Sequence, residues 1–135
     1  MNNIVWKRVK PLKDRIEDLE KDYSVMVPSE LKEFILLHNG GRPSLDIIKT
    51  ESGKEVEVKS LLSFNREDPE TIYNVIGYFI EQYKGTLLPI ASEPSGDYFC
   101  LDLNDFKIIY WEHEKNVVST VAKNLDEFIN GLYRL

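Results

Sequence analysis

Leu88-Pro89-Ile90-Ala91, the turn Pro94-Ser95-Gly96-Asp97, and Tyr98-Phe99-Cys100-Leu101-Asp102-Leu103 decide the fold of this chain. Apolar residues alternate up to the Gly-centred turn and away from it, the pattern of a β-hairpin. Alternation puts Phe99, Leu101 and Leu103 on one face of the outgoing strand and Tyr98, Cys100 and Asp102 on the other. Residues 108–111 and 117–121 continue as strands, linked by short turns. No crossover helix separates them, so they should pair antiparallel.

Upstream the period lengthens. Leu12, Ile16, Leu19 and Tyr23 recur at helical spacing between charged residues, which predicts a surface helix from near Pro11 to before Ser24. Pro28 can open a second helix with Leu31, Phe34, Ile35 and His38 inside, stopped by Asn39-Gly40-Gly41. Residues 45–50 and 55–59 read as two strands joined across Glu51-Ser52-Gly53-Lys54. Asp68-Pro69 supplies a cap and first-turn proline for a third helix carrying Ile72, Ile76, Phe79, Ile80 and Tyr83. Asn124-Leu125-Asp126-Glu127 resembles a capping box for a fourth. The expected class is α+β: an antiparallel sheet flanked by two N-terminal helices, one mid-chain helix and one C-terminal helix.

At 135 residues with 42% hydrophobic content, one domain over residues 1–135 is expected. Residues 1–13 would form a basic N-terminal extension, either a strand added at a sheet edge or a disordered arm. Met1-Asn2-Asn3-Ile4-Val5-Trp6 leads into Lys7-Arg8 with no apolar signal-peptide region, and no run is long enough to span a bilayer. With a single cysteine, Cys100, cytoplasmic residence is the expectation, and Cys100 reads as a small packed side chain. Net charge is −6, although residues 1–21 carry six basic and four acidic groups. An acidic body disfavours nucleic acid and suits a basic protein partner.

Catalytic signals are weak. His38 falls on the apolar stripe or last turn of its helix, where an imidazole serves structure. His113 lies between Glu112 and Glu114, which would raise its pKa. A strand aims neighbouring residues to opposite faces, so this triplet does not make a metal site. Ser92, Ser95 and Ser119 lack a nucleophile elbow, and Ser95 before Gly96 fits turn chemistry. Gly40-Gly41-Arg42-Pro43 follows a helix, whereas a phosphate loop precedes one. Neither catalysis, a cofactor nor a metal is expected. The remaining candidates are Trp111 ringed by Glu93, Asp97, Glu112 and Glu114, a partner-binding patch if one sheet face is open. Helices covering both faces would bury the aromatics instead.

These motifs, in their order and spacing, resemble the SUKH superfamily, the Smi/Knr-like group. The likeness uses Val27-Pro28-Ser29-Glu30-Leu31, Asn39-Gly40-Gly41, Leu88-Pro89-Ile90-Ala91, Gly96-Asp97, Leu101-Asp102-Leu103, Ile109-Tyr110-Trp111-Glu112-His113-Glu114 and Leu125-Asp126-Glu127-Phe128. It runs from about Asp14 to the C-terminus; the basic segment 6–13 has no counterpart in it. Gly96, Asp97 and Trp111 match recurrent positions of that group. The resemblance implies an α+β domain that acts by binding, in bacteria as an immunity protein that neutralises a polymorphic toxin of nuclease or deaminase class. The alternative it implies is a regulatory or scaffold module without a dedicated toxin. A small hydrolase using His113 is a third reading from the residues.

Overall fold

The computed structural model describes residues 3–135. Its elements are β1 (Trp6–Lys7), α1 (Ile16–Tyr23), α2 (Ser29–His38), β2 (Arg42–Pro43), β3 (Ile47–Lys49), β4 (Glu55–Glu57) and β5 (Ser60–Leu61). A short 3-10 helix (Ile72–Asn74) then leads into α3 (Ile76–Tyr83), β6 (Leu87–Ser92), β7 (Tyr98–Asp102), β8 (Ile108–Glu112), β9 (Val117–Ala122) and α4 (Leu125–Asn130). The described residues form an α+β fold, with four α-helices and antiparallel sheets. The main sheet has five strands in the order β5-β6-β7-β8-β9, and β1-β2 and β3-β4 form separate two-stranded ribbons.

The hairpin strands follow the alternation. Phe99 and Leu101 of β7 join Ile108 and Tyr110 of β8 in the larger core, with Phe128 of α4 and Leu31 and Ile35 of α2. Cys100, Ile109 and Trp111 face the other way, into a smaller core with Phe79 of α3 and Leu87. Both faces are therefore covered, and all six residues of β6 are buried, as in a central strand roofed on both sides. Bulges mark the ladder: the β6–β7 register shifts between Pro89 and Ala91, and the β8–β9 register between Ile108 and Ile109.

Differences from the expected boundaries have physical causes. α1 begins at Ile16, with Arg15 in extended conformation before it. α2 does not end with Asn39 in a left-handed conformation: Asn39 has φ −47°, and Gly40 takes the positive φ of 69°. Asn39 is buried and uses its side chain instead, donating to the Lys10 carbonyl and Ser63 Oγ and accepting from the Phe64 N–H at 2.8 Å. Asp68 does not cap a helix either. Its carboxylate accepts from Ser63 Oγ at 2.5 Å and Asn65 Nδ2 at 3.0 Å, Thr71 caps the 3-10 helix, and α3 starts at Ile76. Of the basic segment, residues 1–2 lie outside the described residues and Trp6–Lys7 form a strand, which pairs with β2 and not with the main sheet. Trp6 packs there against Phe34 and His38, with ring centroids 5.4 Å and 5.0 Å away. Asn124 does cap α4, accepting the Glu127 N–H at 2.8 Å. No helix among the described residues is long and apolar enough to cross a membrane.

Candidate functional site

Hairpin geometry gathers the acidic candidates. The β6–β7 turn and the β8–β9 turn lie at the same end of the main sheet, because β7 and β8 pair Tyr98 with Trp111. Asp97, at the mouth of β7, therefore meets His113, just past the end of β8. A depression of about 210 Å³ there is lined by Asp97, Glu112, His113 and Glu114, with Lys54, Ser95 and Lys115.

Asp97 is the centre of this end. It is buried, and both its oxygens are occupied. Oδ1 accepts the His113 backbone N–H at 2.9 Å and the His113 ring Nδ1 at 2.5 Å. Oδ2 accepts the hydroxyl of buried Tyr110. Since an ionised carboxylate can only accept, Nδ1 carries the imidazole proton. Burial alone would raise the Asp97 pKa, but the bonds from Tyr110, the His113 backbone and the His113 ring hold it below the ordinary value. The same bond to Asp97 raises the His113 pKa, with smaller contributions from Glu114 and Glu93. Burial, then the bond to Asp97, pushes the Tyr110 phenol up, so it remains a donor.

The turn itself calls for glycine at 96: its φ is +107°, which side-chain-bearing residues rarely adopt, and the His113 ring packs over it, with Cε1 3.5 Å from where a Cβ would stand. Glu93 folds back over the turn: its Oε1 accepts the Ser95 N–H at 2.7 Å and the Ser95 hydroxyl at 2.5 Å. Glu112 pairs with Lys54 Nζ at 3.2 Å. Ser95 is thus committed to its own turn, and the Asp97–His113 pair has no serine nucleophile bonded to it.

Trp111 stands apart from these carboxylates, as alternation requires. It is buried in the smaller core, 5.0 Å between centroids from Phe79 and 5.4 Å from Tyr78. Its Nε1 donates to Asn116 Oδ1 at 2.8 Å, and the Tyr83 hydroxyl donates to the same oxygen at 2.8 Å. The structure therefore brings Glu93, Asp97, Glu112 and Glu114 together at one end, while Trp111 braces α3 beneath them. Sequence reasoning missed Asn116, whose side chain ties three aromatics; an asparagine in a turn is its only signal, and it sits at φ 51°.

Cys100 is fully buried and its thiol pKa is raised well above normal by desolvation, which leaves it a packing group. His38, with its pKa lowered by burial, stacks on Trp6 and meets Phe34 at a tilt. Among the described residues, no group of three or more His, Cys, Asp or Glu is arranged to hold a metal ion.

The chain is similar to a Bacillus subtilis (strain 168) protein described as an SPbeta prophage-derived uncharacterized protein, YokK: 22% identical, covering 88% of this chain and 73% of that protein. A family model described as SMI1-KNR4 cell-wall, SUKH_6, matches residues 13–129 and so takes in every main-sheet strand and all four α-helices up to Ile129. With most of its length matched, the chain belongs to the SMI1-KNR4 family of SUKH domains.

Proposed function

We propose that this chain is a non-enzymatic binding protein that neutralises a cognate toxin domain by covering its working surface. The observation that carries this reading is the occupancy of Asp97. Three donors fill its two oxygens, and the adjacent Ser95 hydroxyl is spent on Glu93. With the neighbouring Ser95 hydroxyl bonded to Glu93 and not to the imidazole, we read the Asp97–His113 pair as a latch between two turns. Around it stands an acidic rim, Glu93, Glu112 and Glu114, on a chain of net charge −6. A toxin that acts on nucleic acid needs a basic surface to hold phosphates, and an acidic protein is steered to that surface and competes for it.

Family membership supports a binding role, and the prophage-derived relative is consistent with a mobile-element setting. In this mechanism no bond is made or broken: acidic side chains pair with the toxin's Lys and Arg, and substrate is excluded. The test is co-expression with the product of the adjacent open reading frame. Protection of the host and a stable complex are expected. A neighbour that is not toxic, or a toxic one that this chain neither binds nor suppresses, removes the proposal.

A further inference from the structure

At the far end of the sheet from Asp97 lies a second surface with unspent charge. β7 and β8 run five residues each, so their other turn is about 16 Å from the His113 end. There the N-terminal ends of α2 and α4 stand over the β7–β8 turn and leave a groove. One part, about 440 Å³, is lined by Pro28, Leu31, Leu101, Phe106, Ile108 and Leu125 among others. The adjoining part, about 390 Å³, continues between Phe34 and Leu37 of α2 and Ile129 of α4. Glu30, Leu125 and Asp126 line both parts, so the two are continuous.

The groove has an apolar floor and exposed apolar ends. Leu37 is 70% exposed at one end and Phe106 50% exposed at the other. Phe106 has φ 65°, a conformation that asparagine or glycine adopts at less cost, so the turn keeps an aromatic where folding alone would favour a smaller residue. Its rim is acidic. Glu30, Glu33 and Asp126 are exposed and none forms an ion pair among the described residues. Glu30 and Asp126 lie in first helical turns, where a carboxylate also offsets the helix dipole. Glu33 is a turn further on and has no such role. Lys123 is the one cation in the lining.

Other surfaces are weaker candidates. Glu112 is already paired with Lys54, and the hollow containing Arg8, Lys10 and Arg42 includes its own carboxylates, Asp68 and Glu70. We infer that the α2–α4 groove docks a cationic amphipathic segment of a partner protein, with apolar side chains on the Leu31–Leu125 floor and Lys or Arg against Glu30, Glu33 and Asp126. α2 is ten residues long, about 15 Å, which accommodates three turns of a partner helix laid along it. This rests on the reading of the chain as a binding protein and assigns that activity a surface.

The test is a titration of the isotope-labelled full chain with a twelve-residue helical peptide of leucine and lysine, followed by amide chemical shifts. Saturable shifts confined to residues 28–37, 105–108 and 123–130 are expected. Glu33→Lys should weaken binding about tenfold. Leu37→Glu separates the groove from bulk electrostatics. It adds a negative charge, so simple attraction predicts tighter binding, whereas the groove predicts binding about tenfold weaker. Phe106→Asn, which suits the positive φ and should not harm folding, should also weaken it. Glu81→Gln, an exposed carboxylate on α3 outside the groove, should leave it unchanged. Shifts spread over all acidic faces, tighter binding by Leu37→Glu, or peptide-free shifts in the groove that grow with protein concentration overturn the inference; the last would make a second copy the occupant. Loss of host protection in Leu37→Glu supports it. Protection retained by Leu37→Glu overturns the groove and leaves toxin neutralisation standing; groove-confined peptide binding without protection by the parent chain does the reverse.

Discussion

Replacing Asp97 with alanine tests the latch. In the folded protein Tyr110 is 2% exposed, and its hydroxyl donates to Asp97 Oδ2. Removing the acceptor leaves a buried donor unsatisfied, at a cost of about 1–3 kcal/mol, and forfeits a hydrogen bond to a charged group, worth about 1.5–3 kcal/mol. These overlap, so the expected loss is about 2–4 kcal/mol. Tyr110→Phe removes the donor but leaves Asp97 both bonds from His113, and about 1–2 kcal/mol is expected. The double variant leaves no orphaned hydroxyl, so it should cost at least ~1 kcal/mol less than the sum of the singles.

The Asp97 pKa is lowered from 3.8 in the fold, so its contribution is complete above the unfolded value and disappears as pH falls through the folded one. The His113 pKa is raised from 6.5, so its contribution is complete below the unfolded value and is lost as pH rises through the folded one. The gap between parent and Asp97→Ala should be widest near pH 5–6. It should narrow on the alkaline side without closing, because the bond from Tyr110 remains. Urea unfolding followed by tryptophan fluorescence from pH 4 to 9 measures this, Trp6 and Trp111 both being packed among aromatics. A loss below about 1 kcal/mol that is flat across this range refutes the latch.

Trp111→Ala should cost about 3–5 kcal/mol in urea unfolding, as a buried aromatic lost from the smaller core; a loss below about 1 kcal/mol would instead make it a surface residue. Asn39→Ala, which strips the Phe64 N–H and the Lys10 carbonyl of their side-chain partner, should lose about 2–4 kcal/mol by the same measurement. Gly96→Ala should cost about 1–2 kcal/mol because φ is +107°, with the His113 ring resonances shifted in NMR spectra. Cys100 should resist a thiol reagent in the native protein and react fully in denaturant, since its thiol is buried.

What could be read from the sequence was whatever a local period encodes. The alternation around Gly96 placed Phe99 and Leu101 opposite Cys100 correctly, and Asn124 signalled the cap of α4. What could not be read depended on distant partners. Asp68 has the spacing of a cap, but Ser63 and Asn65 take its carboxylate first, so the third helix starts eight residues later. Asn39 looks like a helix terminator, yet its side chain satisfies backbone groups from two other segments. The sequence reading set Trp111 within a ring of carboxylates, whereas the fold buries it in the smaller core against Phe79 of α3, and where α3 packs is encoded by no period in β8. The acidic candidates were brought together because two turns share one sheet end, a consequence of the β7–β8 register.

The acidic charge of this protein sorts into carboxylates that folding has used and carboxylates that it has not. Asp97, Glu93, Asp68 and Glu70 hold turns and strands together: Glu70, for example, accepts from Ser60 at 2.8 Å and Ser92 at 3.0 Å while pairing with Lys59. Their exchange with a partner's cations would first have to break internal bonds, so they contribute less to recognition than their position suggests. Glu30, Glu33, Asp126 and, at the other end, Glu114 have no such bonds to break. Exposed pairs are individually weak, and each such residue contributes little until a partner excludes water around it. Among the described residues, only the α2–α4 groove combines unspent carboxylates with an apolar floor that can exclude water, which is the combination that turns attraction into a stable interface.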